Sequence, residues 1–132
     1  MKKIIVYTNE IFDGDVLVCV GVTAEQIKKW ADKNSKNLKE IFKIKNNFDI
    51  IKENIIGNNG FVVVFVKNGI SFYLLWLKDY KNSWKEIDTL NHEVVHLRQA
   101  MFESKKIINE REFEAYFQES TLRGIRKKLI KL

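Results

Sequence analysis

Five consecutive residues, His92-Glu93-Val94-Val95-His96, combine side chains that bind metal ions with one that can move a proton. On a helix, residues four apart project from one face, so both imidazoles can offer a nitrogen to one ion at about 2.0–2.1 Å. Glu93 stands one position past the first histidine, which turns its carboxylate beside the ion instead of into its ligand shell. There it can take a proton from a water that zinc has acidified, and the resulting hydroxide attacks a carbonyl carbon. The chemistry implied is zinc-dependent hydrolysis, with a peptide bond as the expected substrate. A chance glutamate between two helix histidines is the bland explanation, weakened because His92 and His96 are the only histidines among 132 residues. Leu90, Val94, Leu97 and Met101 fall at helical spacing on another side, so the same helix can pack into a core while its histidines face a cleft.

A catalytic zinc takes three protein ligands and keeps one position open for water. With no third histidine and no useful cysteine, the remaining ligand must be a carboxylate. The last helical stretch supplies Glu110, Glu112, Glu114 and Glu119. On a helical projection Glu112, Tyr116 and Glu119 share a face, whereas Glu110 and Glu114 point elsewhere. A slip in helix register would change which carboxylate faces the ion, so Glu114 and Glu119 stand as alternatives to Glu112. The sixteen-residue step from His96 to Glu112 allows two turns up one helix, a tight connection and one turn back down the next.

His92-Glu93-x-x-His96 followed by Glu112-x-x-Ala115-Tyr116 resembles the gluzincin arrangement, in which HExxH lies on one helix and ExxA or ExxS on the next. The closest resemblance is to small zincin-like metallopeptidases of phages and mobile elements, whose motif helix is followed by an E-x-x-A-Y helix. It covers residues 87–118. It implies His92, His96 and Glu112 as zinc ligands, Glu93 as general base, and a protein or peptide substrate met in the cytoplasm of a host cell. Tyr116 stands where the thermolysin-like pattern has an aspartate that orients a ligand histidine. As a catalytic residue it would hydrogen-bond the oxyanion or a histidine, and as a structural one it would fill space between two helices.

The elements that must position these residues follow from periodicity and turn chemistry. Apolar runs at 4–7 and 16–22 flank Asp13-Gly14-Asp15 and predict an antiparallel pair. Thr23-Ala24-Glu25-Gln26 has the form of a capping box, which starts a helix running to about Asn34. A further helical stretch over 38–56 is expected to break near Asn46-Asn47 and to stop at Gly57-Asn58-Asn59-Gly60. Residues 61–66 and 71–77 are β-branched and aromatic, and the Asn68-Gly69 turn between them predicts a hairpin whose edge can take a peptide by strand addition. A helix should then run from Ser83 through the motif to about Ser104, and after a break at 105–108 a last helix over 109–132 should complete an antiparallel pair. The sum is one α+β domain over 1–132: a small antiparallel or mixed sheet packed against helices, zincin-like, with a C-terminal helical hairpin that carries the metal site.

Composition bounds the alternatives. Apolar residues make up 45% of the chain, which excludes a disordered protein. No run approaches the roughly 20 apolar residues that cross a bilayer, and 4–7 reads as a first strand instead of a secretory signal. Cys19 is the single cysteine, so an intrachain disulfide and a cysteine zinc knuckle are both excluded, and its place in an apolar strand makes it a core thiol. The net charge of +6 would suit nucleic acid, but the lysines are scattered among glutamates without aromatic interleaving, so that partner is not favoured. Arg123, Arg126, Lys127, Lys128 and Lys131 complement the dipole of the last helix. The rival readings are a non-catalytic zincin-fold binding or virion-associated protein and a basic nucleic-acid-binding module.

Overall fold

Strand β1 (Lys3–Asn9) and strand β2 (Gly14–Val20) pair antiparallel as their apolar alternation requires, with Ile5 opposite Val18 and Tyr7 opposite Val16. The computed structural model describes residues 2–9, 14–105 and 111–130, so Asp13 in the first turn lies outside the described residues, as do residues 106–108 of the expected helix break and Glu110. Helices α1 (Ala24–Asn34), α2 (Lys36–Lys43) and α3 (Lys45–Ile55) follow. The second hairpin is β3 (Gly60–Lys67) and β4 (Ile70–Leu77), and the chain closes with α4 (Trp84–Lys105) and α5 (Arg111–Ile130).

The capping box forms as the sequence predicts: Gln26 N–H donates to Thr23 Oγ1 at 3.1 Å, and Thr23 N–H donates to Gln26 Oε1 at 2.8 Å. The break between α2 and α3 comes at Ile44, earlier than the asparagine pair suggests. Asn47 lies inside the first turn of α3, and its side-chain amide donates back to the Ile41 carbonyl at 2.9 Å. It therefore adds a second donor, beside the Ile44 N–H at 3.3 Å, to a carbonyl at the end of α2 while itself being helical. In the second hairpin Asn68 and Gly69 both take positive φ, 53° and 77°, the conformation a two-residue turn of matching twist needs.

The strand order is β1-β2-β4-β3, with β2 and β4 parallel and the outer pairs antiparallel, a mixed four-stranded sheet. Helices cover both of its faces. One core joins Val16, Val18, Val20, Tyr73, Leu75 and Leu77 to Leu90, Val94, Leu97 and Met101 of α4 and to Phe117, Ile125 and Leu129 of α5. The other joins Leu17, Cys19, Leu74, Trp76, Phe61 and Phe65 to Ile27, Ile41, Phe42 and Ile51 of α1–α3. Successive strand residues alternate between the two, which is the period-two rule at work. Apolar side chains make up both cores, and among the few buried polar ones Asn9 of β1 donates to Thr121 of α5 at 3.1 Å.

Helices α4 and α5 run antiparallel. Gln118 donates to the Asn91 carbonyl at 3.0 Å, Arg98 meets Glu114 at 3.6 Å, and Phe102 packs on Phe113 and Phe117. Among the described residues no helix is long and apolar enough to cross a membrane.

Candidate metal centre

The stripe Leu90, Val94, Leu97 and Met101 is fully buried, and this fixes the rotation of α4 about its axis. The histidines then emerge on the exposed side of the helix, while Glu93, between the two directions, is turned toward β3 and is only 5% exposed. A cleft of about 500 Å³ lies between α4 and the edge strand, lined by His92, Glu93 and His96 on one side and by Gly60, Val62 and Val64 on the other.

His92 Nε2 and His96 Nε2 are 3.1 Å apart, with the two rings nearly perpendicular at 84°. Two nitrogens that share one zinc at about 2.0–2.1 Å in near-tetrahedral geometry are separated by roughly 3.1–3.4 Å, so the pair is already at ligand spacing. His96 Nδ1 lies 3.2 Å from Gln99 Oε1. A carbonyl oxygen only accepts, so Nδ1 carries the proton there, and the lone pair of Nε2 is directed to the side where His92 stands.

Glu93 meets the backbone of β3 at Gly60. A Cβ built on Gly60 would lie 2.9 Å from Glu93 Cγ and 3.0 Å from Glu93 Oε2, so the carboxylate occupies the space that any larger residue would fill. Burial pushes the Glu93 carboxyl above its ordinary value, and the neighbouring His92 and His96 oppose that rise. A carboxylate made more basic in this way is a better proton acceptor near neutral pH than an exposed one.

The structure therefore brings together three of the residues read from the sequence, His92, Glu93 and His96. Among the described residues Glu112 does not join them in a group placed to hold a metal ion, and Tyr116 stands one turn further along the same helix. Both are exposed on α5, Tyr116 by 57%, and Glu119 on the same helix face is exposed as well. On α5, Glu114 faces α4 and is engaged with Arg98 at 3.6 Å. Among the described residues no group of three or more His, Cys, Asp or Glu side chains is placed to hold a metal ion. The sequence reading also missed two residues that shape the site. Gln99 was legible, being three positions after His96 on one helix face. Gly60 was read only as a helix stop, although a glycine opening a strand also signals a close backbone approach. Comparison with known proteins gives no match to this chain, whether among family models, curated proteins or solved structures.

Proposed function

We propose that the chain is a zinc-dependent peptidase of zincin-like type, cutting a peptide bond in the cleft between α4 and β3. The observation that carries this reading is the 3.1 Å spacing of the His92 and His96 Nε2 atoms, with the buried Glu93 carboxylate beside them on the cleft wall. The donor types suit zinc: two imidazoles four residues apart on one helix, with the Gln99 side chain beside one of them, make a zinc half-site that needs a further ligand. His92 and His96 would hold the ion, and the chemistry zinc supplies when bound is the acidification of water and the polarisation of a carbonyl.

This chain's own residues account for the rest. Glu93 accepts a proton as a water oxygen bonds to the carbonyl carbon, and returns it to the amide nitrogen as the C–N bond breaks. Atoms balance as one water consumed, one carboxylic acid and one amine formed. The β3 edge, paired with β4 on one side only, offers free backbone groups along which an extended substrate can lie. Glu112 enters as third ligand on the E-x-x-A-Y resemblance. It stands in the first turn of α5, next to the connection from α4, so that turn has to close toward the histidines to deliver it.

The test is metal content together with peptide hydrolysis. The wild-type chain should bind one zinc, and His92→Ala and His96→Ala should lose it. Glu93→Gln should keep the zinc and lose hydrolysis by about 10²–10⁴-fold. Glu112→Gln should weaken zinc binding by about 10-fold or more, as loss of a direct ligand does at least as much as loss of a supporting one. Zinc bound without cleavage of any peptide would leave a binding protein, and no zinc bound at all would sink the reading.

A further inference from the structure

The α4 wall of the cleft changes sign along its length. Toward the C-terminal end of α4 the same hollow that holds the motif is lined by Ala100 and Glu103, opposite Val62 and Val64 of β3. Glu103 is exposed, and among the described residues no cation pairs with it. Toward the N-terminal end, beyond the turn that carries Asn58 and Asn59, a second hollow of about 250 Å³ gathers Lys78, Lys81 and Lys85. The same hollow holds Asp79, 3.6 Å from Lys81, and Glu86, so its three lysines outweigh its two carboxylates by a single positive charge. On a chain of net charge +6, an open carboxylate in the cleft is a local exception.

Glu103 follows His96 by seven residues, roughly 10.5 Å along the helix. An extended peptide advances about 3.3 Å per residue, so Glu103 stands opposite a position about three residues from the bond held at the motif. A long side chain attached nearer that bond spans the same distance. Between motif and carboxylate the walls are Val64 and Ala100, small and apolar, suited to a methylene stem.

We propose that this cleft selects an extended peptide with a lysine or arginine within about three residues of the bond at the motif. The cation pairs with Glu103 and the stem lies on Val64 and Ala100. The lysines at the other end repel the same residue, so the charge difference also sets which way the peptide lies. This rests on the peptidase reading for the identity of the bond, but the charge preference is a property of binding and is measurable without turnover.

The experiment uses the metal-free chain and two nine-residue peptides of serine and alanine, one with a central lysine and the other with a central glutamate. Binding is followed by amide chemical shifts. The lysine peptide should shift the amides of Val64, Ala100 and Glu103 and bind about fivefold more tightly than the glutamate peptide, with the difference shrinking as salt is raised. Glu103→Lys, a change at an exposed position that leaves the fold intact, should reverse the order. Equal binding of the two peptides, no shift of those amides at millimolar peptide, or an unchanged preference in Glu103→Lys would each overturn the proposal. Hydrolysis of peptides by the zinc-loaded chain is scored separately. Cleavage without charge preference defeats this inference alone, and charge preference without cleavage defeats the peptidase reading alone.

Discussion

Gly60 and Glu93 share one space: the carboxylate of the motif rests where a side chain of β3 would otherwise stand. A Cβ on Gly60 would also come within 3.2 Å of the Trp76 carbonyl oxygen, so the backbone of β4 blocks escape in one direction and Glu93 blocks it in another. The glycine is not there for a special backbone angle, since its φ is not among the positive values of the chain. It is there because the edge strand and α4 approach each other closely.

Replacing Gly60 with alanine should therefore act on Glu93 and leave the histidines alone. The expected result is a chain that binds zinc with near wild-type affinity but hydrolyses peptide at least tenfold more slowly, with about 1–3 kcal/mol lost from stability to overpacking. Zinc titration and kcat measured on the same preparation separate the two effects. Unchanged kcat would show that the position of Glu93 against β3 has no bearing on proton transfer.

Gln99 Oε1 lies 3.2 Å from His96 Nδ1 as its acceptor, so its loss should be felt at Nε2. Gln99→Leu is expected to weaken zinc binding by about 10-fold, with little change in thermal stability because the residue is exposed. Competition with a chelator of known affinity reads the change directly.

Gly124 sits in α5 against the ring of Tyr7, where a Cβ would fall 2.5 Å from Cε1. Alanine usually favours a helix over glycine by about 1 kcal/mol. Here the buried ring of Tyr7 would have to shift, and overpacking of about 1–3 kcal/mol should outweigh the gain. Gly124→Ala should unfold at a lower urea concentration than wild type, and Gly124→Ala with Tyr7→Leu should recover part of the loss.

Cys19 is fully buried, and burial pushes its thiol far above the ordinary range. It should not react with a thiol reagent until the chain unfolds. The linkage follows from the direction of the shift. The folded chain keeps the proton while the unfolded thiol releases it above about pH 8.5, so stability present below that pH is lost as pH rises. One unit above it the cost is about 1.4 kcal/mol. Urea unfolding at pH 7.5 and 9.5 should show wild type losing about that much more than Cys19→Ala.

Much of this fold is written in local pattern. The Asn68-Gly69 hairpin, the capping box at Thr23 and the burial of Leu90, Val94, Leu97 and Met101 each follow from residues close together in the chain, on one turn or one helix. The parallel pairing of β2 with β4 was not legible in the same way, because its partners, such as Val18 and Leu75, are brought together across the whole α1–α3 layer. The site divides along the same line. His92, Glu93 and His96 lie on one helix, and their relative geometry is set by helix pitch alone. Glu112 and Tyr116 depend on how two helices meet, and the seam went to Glu114, Gln118 and Phe117.

The sheet keeps two cores that share backbone hydrogen bonds but no side chains, Cys19 looking to one and Val18 to the other. Disturbance in the α1–α3 layer thus reaches the histidines through the strand ladder and the Asn58 turn, not through shared core side chains. Amide exchange in α4 should stay slow when Ile27 or Ile51 is trimmed to valine, while exchange in α1 and α3 quickens. A chain built this way can tolerate drift in one hydrophobic layer without retuning the other, and its sheet acts as an insulator between the half that carries the histidines and the half that braces it.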